Sequence, residues 1–220
     1  MLRPYQQDAV DAAKDWLRRT TDPCVIQAPT GSGKSHIIAS IAQWLHQISK
    51  GKHVLCLAPR AELVTQNRAK YAATGSPSSI FSASAGSRSL RHPVVFGTPT
   101  TVRNKIGRFG AHYCAVIVDE AHGMTPTIRS IIDKMRAENP RLRVVGLSAT
   151  PYRLGEGYIY AMDEQGQPTG DRARDPYFTA RVYTIEEREL IDAGYLSPPV
   201  VGSTDGEHYD TLQMQPNRMG

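Results

Sequence analysis

The chain has 220 residues, of which 40% are hydrophobic and 21% charged, a composition typical of a globular protein with room for one α/β domain. No apolar run approaches the about 20 residues of a membrane-spanning helix, and the first residues lack the apolar stretch of a secretory signal. We therefore expect a cytoplasmic protein without a membrane anchor. The net charge is +5, with +7 in residues 60–108 and −2 in the rest, which predicts either a polyanionic partner or a solvated basic face.

Apolar periodicity along the chain predicts strands that alternate with helices. An amphipathic helix is predicted over residues 5–17, and buried strands are predicted at residues 24–28, 53–58, 94–97, 114–119 and 143–148. A helix follows each of the first four strands, so the predicted fold is α/β, a mainly parallel sheet with helices on both faces. The cysteines fall in or beside these strands and are expected to be reduced core residues rather than zinc ligands, namely Cys24, Cys56 and Cys114.

Three stretches depart from this alternation. Residues 74–92 are rich in serine, glycine and alanine, and at most a short edge strand is expected there. Residues 152–176 are polar and are predicted to form a hairpin or an insertion. A last strand near residues 180–183 leads into a helix that the capping-box spacing of Thr184 and Glu187 is predicted to open.

The stretch Ala28–Ser35 reads Ala-Pro-Thr-Gly-Ser-Gly-Lys-Ser and lies between a predicted strand and a predicted helix. This is the context of a phosphate-binding loop, in which backbone N–H groups and a helix N-terminus cradle a polyphosphate. Lys34 would reach the β- and γ-phosphates, and the Ser35 hydroxyl would bind Mg²⁺. The alternative is an ordinary glycine-serine turn. The cradle itself would come from four residues, Thr30, Gly31, Ser32 and Gly33.

Two adjacent carboxylates, Asp119 and Glu120, stand at the carboxyl end of the buried strand predicted at residues 114–119. Parallel sheets bind their ligands at the carboxyl ends of strands. In a nucleotide site Asp119 would hold Mg²⁺ and Glu120 would orient and deprotonate the attacking water. The alternative is an acidic start to the next helix.

The loop, the Asp119–His122 stretch and Ser148–Thr150 have the order and spacing of motifs I, II and III of superfamily 2 helicases, whose first RecA-like lobe this chain resembles. Residues 2–6 resemble the Q-type motif, residues 58–66 motif Ia and residues 97–101 motif Ib. Residues 146–160 and 193–199 are similar to bacterial RadD-type DNA repair helicases, a restriction-subunit-like branch. The resemblance covers about residues 2–200.

The resemblance implies ATP and Mg²⁺ as cofactors and adds residues to the nucleotide site. The Gln6 amide would read the adenine edge, because one donor and one acceptor match N6 and N7. Arg3 and Tyr5 would lie near the base or the sugar.

The resemblance also implies a nucleic-acid interface and a coupling path. Phosphate contacts would come from three residues of motifs Ia and Ib inside the basic segment, Arg60, Thr98 and Pro99, the last two as N-cap and first residue of a helix. Coupling of the ATP site to that interface would involve His122, Ser148 and Thr150. Arg153 is either a second coupling contact or a surface charge.

The implied function is an ATP-dependent DNA helicase or translocase of DNA repair, and RNA is not excluded as a partner. The alternatives are the translocase subunit of a restriction system and a nucleotide- or nucleic-acid-binding module without motor activity. We expect residues 1–197 to be the RecA-like ATP-binding domain and residues 198–220 a linker or the start of a second RecA-like lobe. Because that second lobe would supply the arginine fingers, the 220 residues are expected to bind ATP weakly and to hydrolyse it slowly at most.

Overall fold

The computed structural model describes residues 2–197, and the predicted linker at 198–220 lies outside this range. The helices are α1 (Pro4–Arg19), α2 (Lys34–Ile48), α3 (Ala61–Ala72), α4 (Pro99–Arg103), α5 (Pro126–Glu138) and α6 (Glu187–Asp192). The strands are β1 (Cys24–Gln27), β2 (His53–Leu57), β3 (Ser79–Ser82), β4 (Ser87–Arg88), β5 (Val94–Gly97), β6 (Tyr113–Asp119), β7 (Arg143–Ser148), β8 (Tyr152–Arg153), β9 (Gly157–Tyr158), β10 (Tyr160–Met162) and β11 (Phe178–Thr184). Short 3-10 helices occupy Ile106–Arg108, Ala121–Gly123 and Gly170–Arg172.

Nine of the strands form one sheet in the order β10-β11-β1-β7-β6-β2-β5-β3-β4. Neighbours in this sheet run parallel, except that β4 is antiparallel to β3. The predicted α/β class and mainly parallel sheet are therefore confirmed. Strand β7 lies between β1 and β6, with Gln27 paired to Ser148 and Leu147 to Asp119. This order brings the carboxyl ends of three strands, distant in sequence, to one edge of the sheet.

Both faces of the sheet are buried under helices. All seven residues of β6 are buried; Ala115 and Ile117 join the cluster beneath α1, α2 and α3, whereas Val116 and Val118 join the one beneath α4 and α5. Burying one large aliphatic side chain contributes about 1.5–3 kcal/mol, so both clusters stabilise the fold. The predicted core cysteines lie here as well, free and buried.

The segment at residues 74–92 contains more sheet than was predicted. Strand β3 runs parallel to β5, with Ser79 paired to Val95, and β4 returns antiparallel to it. The prediction of at most a short edge strand was wrong, because the serine content lowers the local strand propensity while tertiary burial compensates. The Phe81 side chain is fully buried, and the Ser79 hydroxyl accepts a hydrogen bond of 2.9 Å from the His92 N–H.

The segment at residues 152–176 contains the expected hairpin, formed by β8 and β9. Just beyond the hairpin, β10 joins the main sheet beside β11. Strand β10 has only three residues, too few for an apolar periodicity to predict it. The capping box predicted at Thr184 was wrong. Thr184 is the last residue of β11 and pairs with Gln27, and α6 begins at Glu187 with Glu186 as its N-cap.

Candidate nucleotide-binding site

A cavity of about 500 Å³ opens beside the carboxyl ends of β1 and β6. It brings together the predicted loop, the paired carboxylates and the start of α1, with additional side chains from α3. Its lining residues are Arg3, Gln6, Thr30, Gly31, Gly33, Lys34, Ser35, His36, Leu63, Gln66, Lys70, Asp119 and Glu120.

The loop between β1 and α2 owes its shape to its two glycines. Gly31 and Gly33 have φ angles of +84° and +80°, a left-handed conformation that costs other residues about 1–2 kcal/mol. The buried Ser32 donates from its hydroxyl to the Pro29 carbonyl at 2.7 Å. At its beginning the Ala28 N–H donates to the Ser148 carbonyl at 2.9 Å, which ties the loop to the end of β7. The α2 helix starts at Lys34, directly after this turn.

Lys34 and Glu120 face each other across the cavity. The Lys34 ammonium donates to the Ala28 carbonyl at 3.2 Å and lies 3.7 Å from a carboxylate oxygen of Glu120. Glu120 has a φ of +52°, and a non-glycine residue in this region stores of order 1–3 kcal/mol of strain, a feature that clusters at functional sites. The second carboxylate oxygen lies 3.3 Å from His122 Nδ1. A phosphate on the loop would compete with Glu120 for the Lys34 ammonium.

Asp119 is held by two donors that orient its carboxylate. Its Oδ1 accepts from the Glu120 N–H at 2.9 Å, and its Oδ2 accepts from the Asn67 side-chain amide at 2.8 Å. The pKa of Asp119 is raised above its ordinary value, mainly because the carboxyl is buried. The hydrogen bond from Asn67 offsets part of this rise, and the neighbouring Glu120 charge adds to it. One helical position before Asn67, the Gln66 amide donates to the Ser35 hydroxyl at 3.3 Å.

Asn67 and Gln66 are site residues that the sequence analysis did not assign. Asn67 is 52 residues from Asp119 in the chain, and its spacing on α3 indicated only a buried helical position. Gln66 lay inside the stretch similar to motif Ia, and this was the signal that could have drawn attention to it. Together they connect α3 to both predicted Mg²⁺ ligands, Ser35 and Asp119.

The residues around Ser35 and Asp119 fit a magnesium-bound polyphosphate. A hydroxyl and a carboxylate are the hard oxygen donors that Mg²⁺ prefers, and this ion is usually held by one or two protein groups together with phosphates and water. The buried amide oxygen Oδ1 of Asn67 accepts no hydrogen bond from the described residues. It is available to a water molecule of the ion's hydration shell.

At the other end of the cavity, the first turn of α1 is bonded to the loop. The Gln6 amide donates to the Ser32 carbonyl at 2.8 Å, and its oxygen accepts from the Arg3 N–H at 3.0 Å. The Tyr5 hydroxyl also donates to the Ser32 carbonyl, at 3.1 Å. Gln6 keeps one N–H and one lone pair for a ligand, and a side chain at Gly33 would displace it, since a Cβ there would lie 2.5 Å from its nitrogen.

The predicted coupling residues form a short chain behind the carboxylates. His122 Nδ1 and the buried Ser148 hydroxyl share a hydrogen bond of 3.0 Å, and the Thr150 N–H donates to the same hydroxyl at 3.2 Å. The Thr150 side chain itself is exposed. Arg153 is more than a surface charge, because its Nε donates to the His122 carbonyl and its Nη1 forms an ion pair with Glu156 at 2.9 Å.

The predicted nucleic-acid residues lie outside the cavity. Arg60 is exposed at the N-cap of α3, and Thr98 and Pro99 are the N-cap and first residue of α4, as predicted. The Thr98 hydroxyl is turned inward, where it donates to the Ser82 hydroxyl at 3.2 Å. Within residues 2–197 none of the basic side chains of the segment 60–108 forms an ion pair, and all are exposed: Arg60, Arg68, Lys70, Arg88, Arg91, Arg103, Lys105 and Arg108.

The fold and this cavity define a class of protein, the RecA-like ATP-binding lobe of superfamily 2 helicases. A family model described as "Type III restriction enzyme, res subunit" matches residues 1–153. The chain belongs to this family.

Over part of its length the chain is also similar to a helicase. The ATP-dependent DNA helicase mph1 of Sclerotinia sclerotiorum is 30% identical over 141 residues, a match that covers 58% of this chain and 11% of that protein. The chain thus spans about a ninth of this relative.

None of the helices in the described range is long and apolar enough to cross a membrane.

Solved structures share the fold at low sequence identity. The UvsW helicase of bacteriophage T4 is 24% identical with a TM-score of 0.52, covering 68% of this chain and 53% of its own. The Hef helicase domain of Pyrococcus furiosus is 23% identical with a TM-score of 0.54, covering 70% and 35%. The type ISP restriction-modification enzyme LlaGI, solved with a DNA substrate mimic, is 18% identical with a TM-score of 0.59, covering 89% and 21%.

Proposed function

We propose that this chain is the nucleotide-binding lobe of an ATP-dependent helicase or translocase that acts on DNA. The observation that carries the proposal is the meeting, in one cavity, of the glycine loop with Lys34, the carboxylates of Asp119 and Glu120, and Gln6. The exposed and unpaired basic segment beside it supports a polyanionic partner, and DNA complexes of LlaGI and of a Sulfolobus solfataricus SWI2/SNF2 ATPase support DNA as that partner.

Each group of the cavity has a role in this proposal. The loop N–H groups and Lys34 would bind the phosphates, and Ser35 and Asp119 would hold Mg²⁺, which would neutralise charge on the phosphoryl group. Glu120, once Lys34 has turned to the phosphates, accepts a proton from the attacking water. Gln6 binds the base. His122, Ser148 and Thr150 relay the state of this site to the surface that includes Arg60, Thr98 and Pro99.

The resemblance of residues 146–160 and 193–199 to RadD-type helicases supports a place in DNA repair. Motors of this superfamily complete the site with arginine fingers from a second lobe, a contribution worth about 10³–10⁵ in rate. We therefore expect the 220 residues alone to bind ATP weakly and to hydrolyse it slowly. Residues 198–220 would then be the linker to that lobe or its first residues.

A second candidate is the translocase subunit of a restriction system, because the matching family model bears that description and LlaGI shares the fold. The two candidates agree on the chemistry of this lobe and differ in what the complete protein does with translocation. Nuclease activity of the complete protein or its native complex would favour the restriction system. DNA-stimulated ATPase activity without nuclease activity would favour a role in DNA repair.

The test is ATP binding with Mg²⁺, measured by calorimetry on the 220-residue chain and on two variants. Lys34→Ala should lose ATP binding, since it removes the cation that faces the phosphates. Glu120→Gln should keep binding, and hydrolysis in the full-length protein should be lost. Binding that survives in Lys34→Ala, or normal hydrolysis by Glu120→Gln, would contradict the assigned roles. Robust DNA-stimulated hydrolysis by the isolated 220 residues would contradict the need for a second lobe.

A further inference from the structure

The segment Tyr195–Leu196 lies on the nucleotide site although nothing in its sequence marks it as part of that site. It follows α6 and is anchored there, because the N–H groups of Tyr195 and Leu196 both donate to the Leu190 carbonyl, at 2.7 and 3.1 Å. Leu190 is buried in the core cluster against which Leu196 packs. The segment therefore has a defined position relative to the sheet.

Both side chains of this segment contact elements of the cavity. The Leu196 side chain contacts the loop at Gly31, since a Cβ on Gly31 would lie 2.6 Å from its Cδ2. The Tyr195 ring lies under the Arg3 guanidinium, with 4.4 Å between the Arg3 Cζ and the ring centroid. The Tyr5 ring is 5.3 Å from the Tyr195 ring, and the Tyr5 hydroxyl accepts from Arg3 at 3.2 Å.

Arg3 is thus held from two sides by aromatic residues while it lines the cavity. A guanidinium group that stacks on an aromatic ring keeps a defined plane, because its charge is attracted to the ring face. Among residues 2–197, Tyr195 is the one aromatic ring that stacks on this guanidinium. Arg3 and Gln6 lie at the first turn of α1, whereas Lys34, Ser35 and Asp119 form the phosphate and metal end of the same cavity. A nucleotide with its phosphates on the loop would therefore extend its nucleoside toward Arg3.

We propose that Tyr195 is a positioning residue for nucleobase binding: its ring holds the Arg3 guanidinium flat against the cavity, where it stacks on the base of the nucleotide. The inference rests on the proposed function, since it requires a nucleotide on the loop. It assigns a role to Tyr195 and Leu196, which from sequence alone showed only a similarity to RadD-type helicases.

The experiment is calorimetric titration of the 220-residue chain with MgATP and with magnesium tripolyphosphate, which carries the phosphates but no base. In Tyr195→Ala the dissociation constant for MgATP should rise about fivefold, the magnitude of a lost cation–π contact. Binding of tripolyphosphate should be unchanged. Tyr195→Phe, which keeps the ring, should bind MgATP like the wild type, and so should the control Tyr152→Ala, which changes an exposed tyrosine on β8.

A second measurement separates positioning of Arg3 from a general effect on the loop. In an Arg3→Ala background, Tyr195→Ala should add no further loss of MgATP affinity. An equal loss of MgATP and tripolyphosphate binding in Tyr195→Ala would overturn the proposal, because it would place the effect on the loop through Leu196. Unchanged MgATP binding in Tyr195→Ala would overturn it as well. If the wild-type chain binds neither ligand, the proposed function itself fails, which is a different outcome from either of these.

Discussion

Single residues in the cavity are arranged in pairs that are poised for ligand exchange. Lys34 lies 3.7 Å from Glu120, where a phosphate would compete for the ammonium. Asp119 is constrained instead, since each of its oxygens already accepts one hydrogen bond. A bound nucleotide would rearrange the first pair, whereas the carboxylate of Asp119, the predicted Mg²⁺ ligand, is already oriented by neighbouring donors, as metal ligands commonly are.

The first prediction concerns the support that Asn67 gives to Asp119. Asn67→Leu keeps the approximate size of the side chain but removes the amide that donates to Asp119. In the wild type this hydrogen bond lowers the pKa of the buried Asp119 carboxyl, so its loss favours the protonated form. The Mg²⁺ concentration needed for half-maximal ATP binding should rise about tenfold, the usual cost of losing a residue that supports a metal ligand. Calorimetric titrations of ATP at a series of Mg²⁺ concentrations measure this.

The matched control is Asn104→Leu, which makes the same change at an exposed position at the end of α4. It should leave the Mg²⁺ dependence unchanged. Equal Mg²⁺ dependence in Asn67→Leu and the wild type would show that Asp119 needs no help from α3.

At the scale of elements, β7 determines how closely the nucleotide-binding strands approach one another. It separates β1 from β6, and its Gly146 faces the ring of Phe178 from β11 and Ala121, the residue after Glu120. A Cβ at Gly146 would lie 2.5 Å from the Phe178 ring and 2.8 Å from the Ala121 Cβ. Space for these contacts exists only because the strand has a glycine there.

The second prediction tests this close packing. Gly146→Ala should lower the free energy of unfolding by about 1–3 kcal/mol, the cost of overpacking a filled core, and should weaken ATP binding because Ala121 and Glu120 must shift together. Urea unfolding followed by circular dichroism gives the first quantity and calorimetry the second. Gly107→Ala is the control, since a Cβ there has no atom within 4 Å and the backbone is not left-handed. A Gly146→Ala protein as stable as this control would contradict the packing argument.

For the whole molecule, the distribution of charge separates two functions of the surface. The acidic side chains Asp119 and Glu120 lie in the cavity, whereas seven of the eight unpaired basic residues of the segment 60–108 lie outside it, from α3 to the turn after α4, and Lys70 lines it. Helix α3 connects the two regions, because Arg60 stands at its beginning and Gln66 and Asn67 bond to the predicted Mg²⁺ ligands two turns later.

The third prediction concerns the salt dependence of DNA binding. The affinity for DNA should fall linearly with salt on a double-logarithmic plot, because each phosphate contact releases counterions. Arg60→Ala should weaken binding across sequences and reduce the slope by about 1. Fluorescence anisotropy of labelled single- and double-stranded DNA, from low to physiological salt, measures both.

A charge of the same type outside the basic segment provides the control for that experiment. Arg18 on α1 is exposed and paired with Asp15 at 2.8 Å, so Arg18→Ala should leave both affinity and slope unchanged. Identical slopes for Arg60→Ala and the wild type would remove Arg60 from the interface. The same titrations with RNA establish which nucleic acid is preferred.

Patterns that are local in the chain predicted most of the elements and the strand–turn–helix backbone at Ala28–Ser35. A strand, a glycine turn and a helix in succession determine the backbone of Ala28–Ser35 with little help from elsewhere, so its prediction from sequence succeeded. The same holds for the buried strand that ends in Asp119, because the six apolar or β-favouring residues that precede this aspartate are stable only when both faces are covered. The assigned roles of these residues stay predictions until a ligand is bound.

The sequence by itself therefore determined the class of fold, the phosphate loop, the paired carboxylates and the basic segment. Only the tertiary structure decided the strand order and the inclusion of β3 and β10 in the sheet. It also decided that Asn67 contacts Asp119 and that Tyr195 contacts Arg3. Periodicity reports which side of an element is buried, but not which distant side chain covers it. The contact of Asn67 with Asp119 forms when β2, β6 and α3 pack together, and no local pattern of residues predicts that contact.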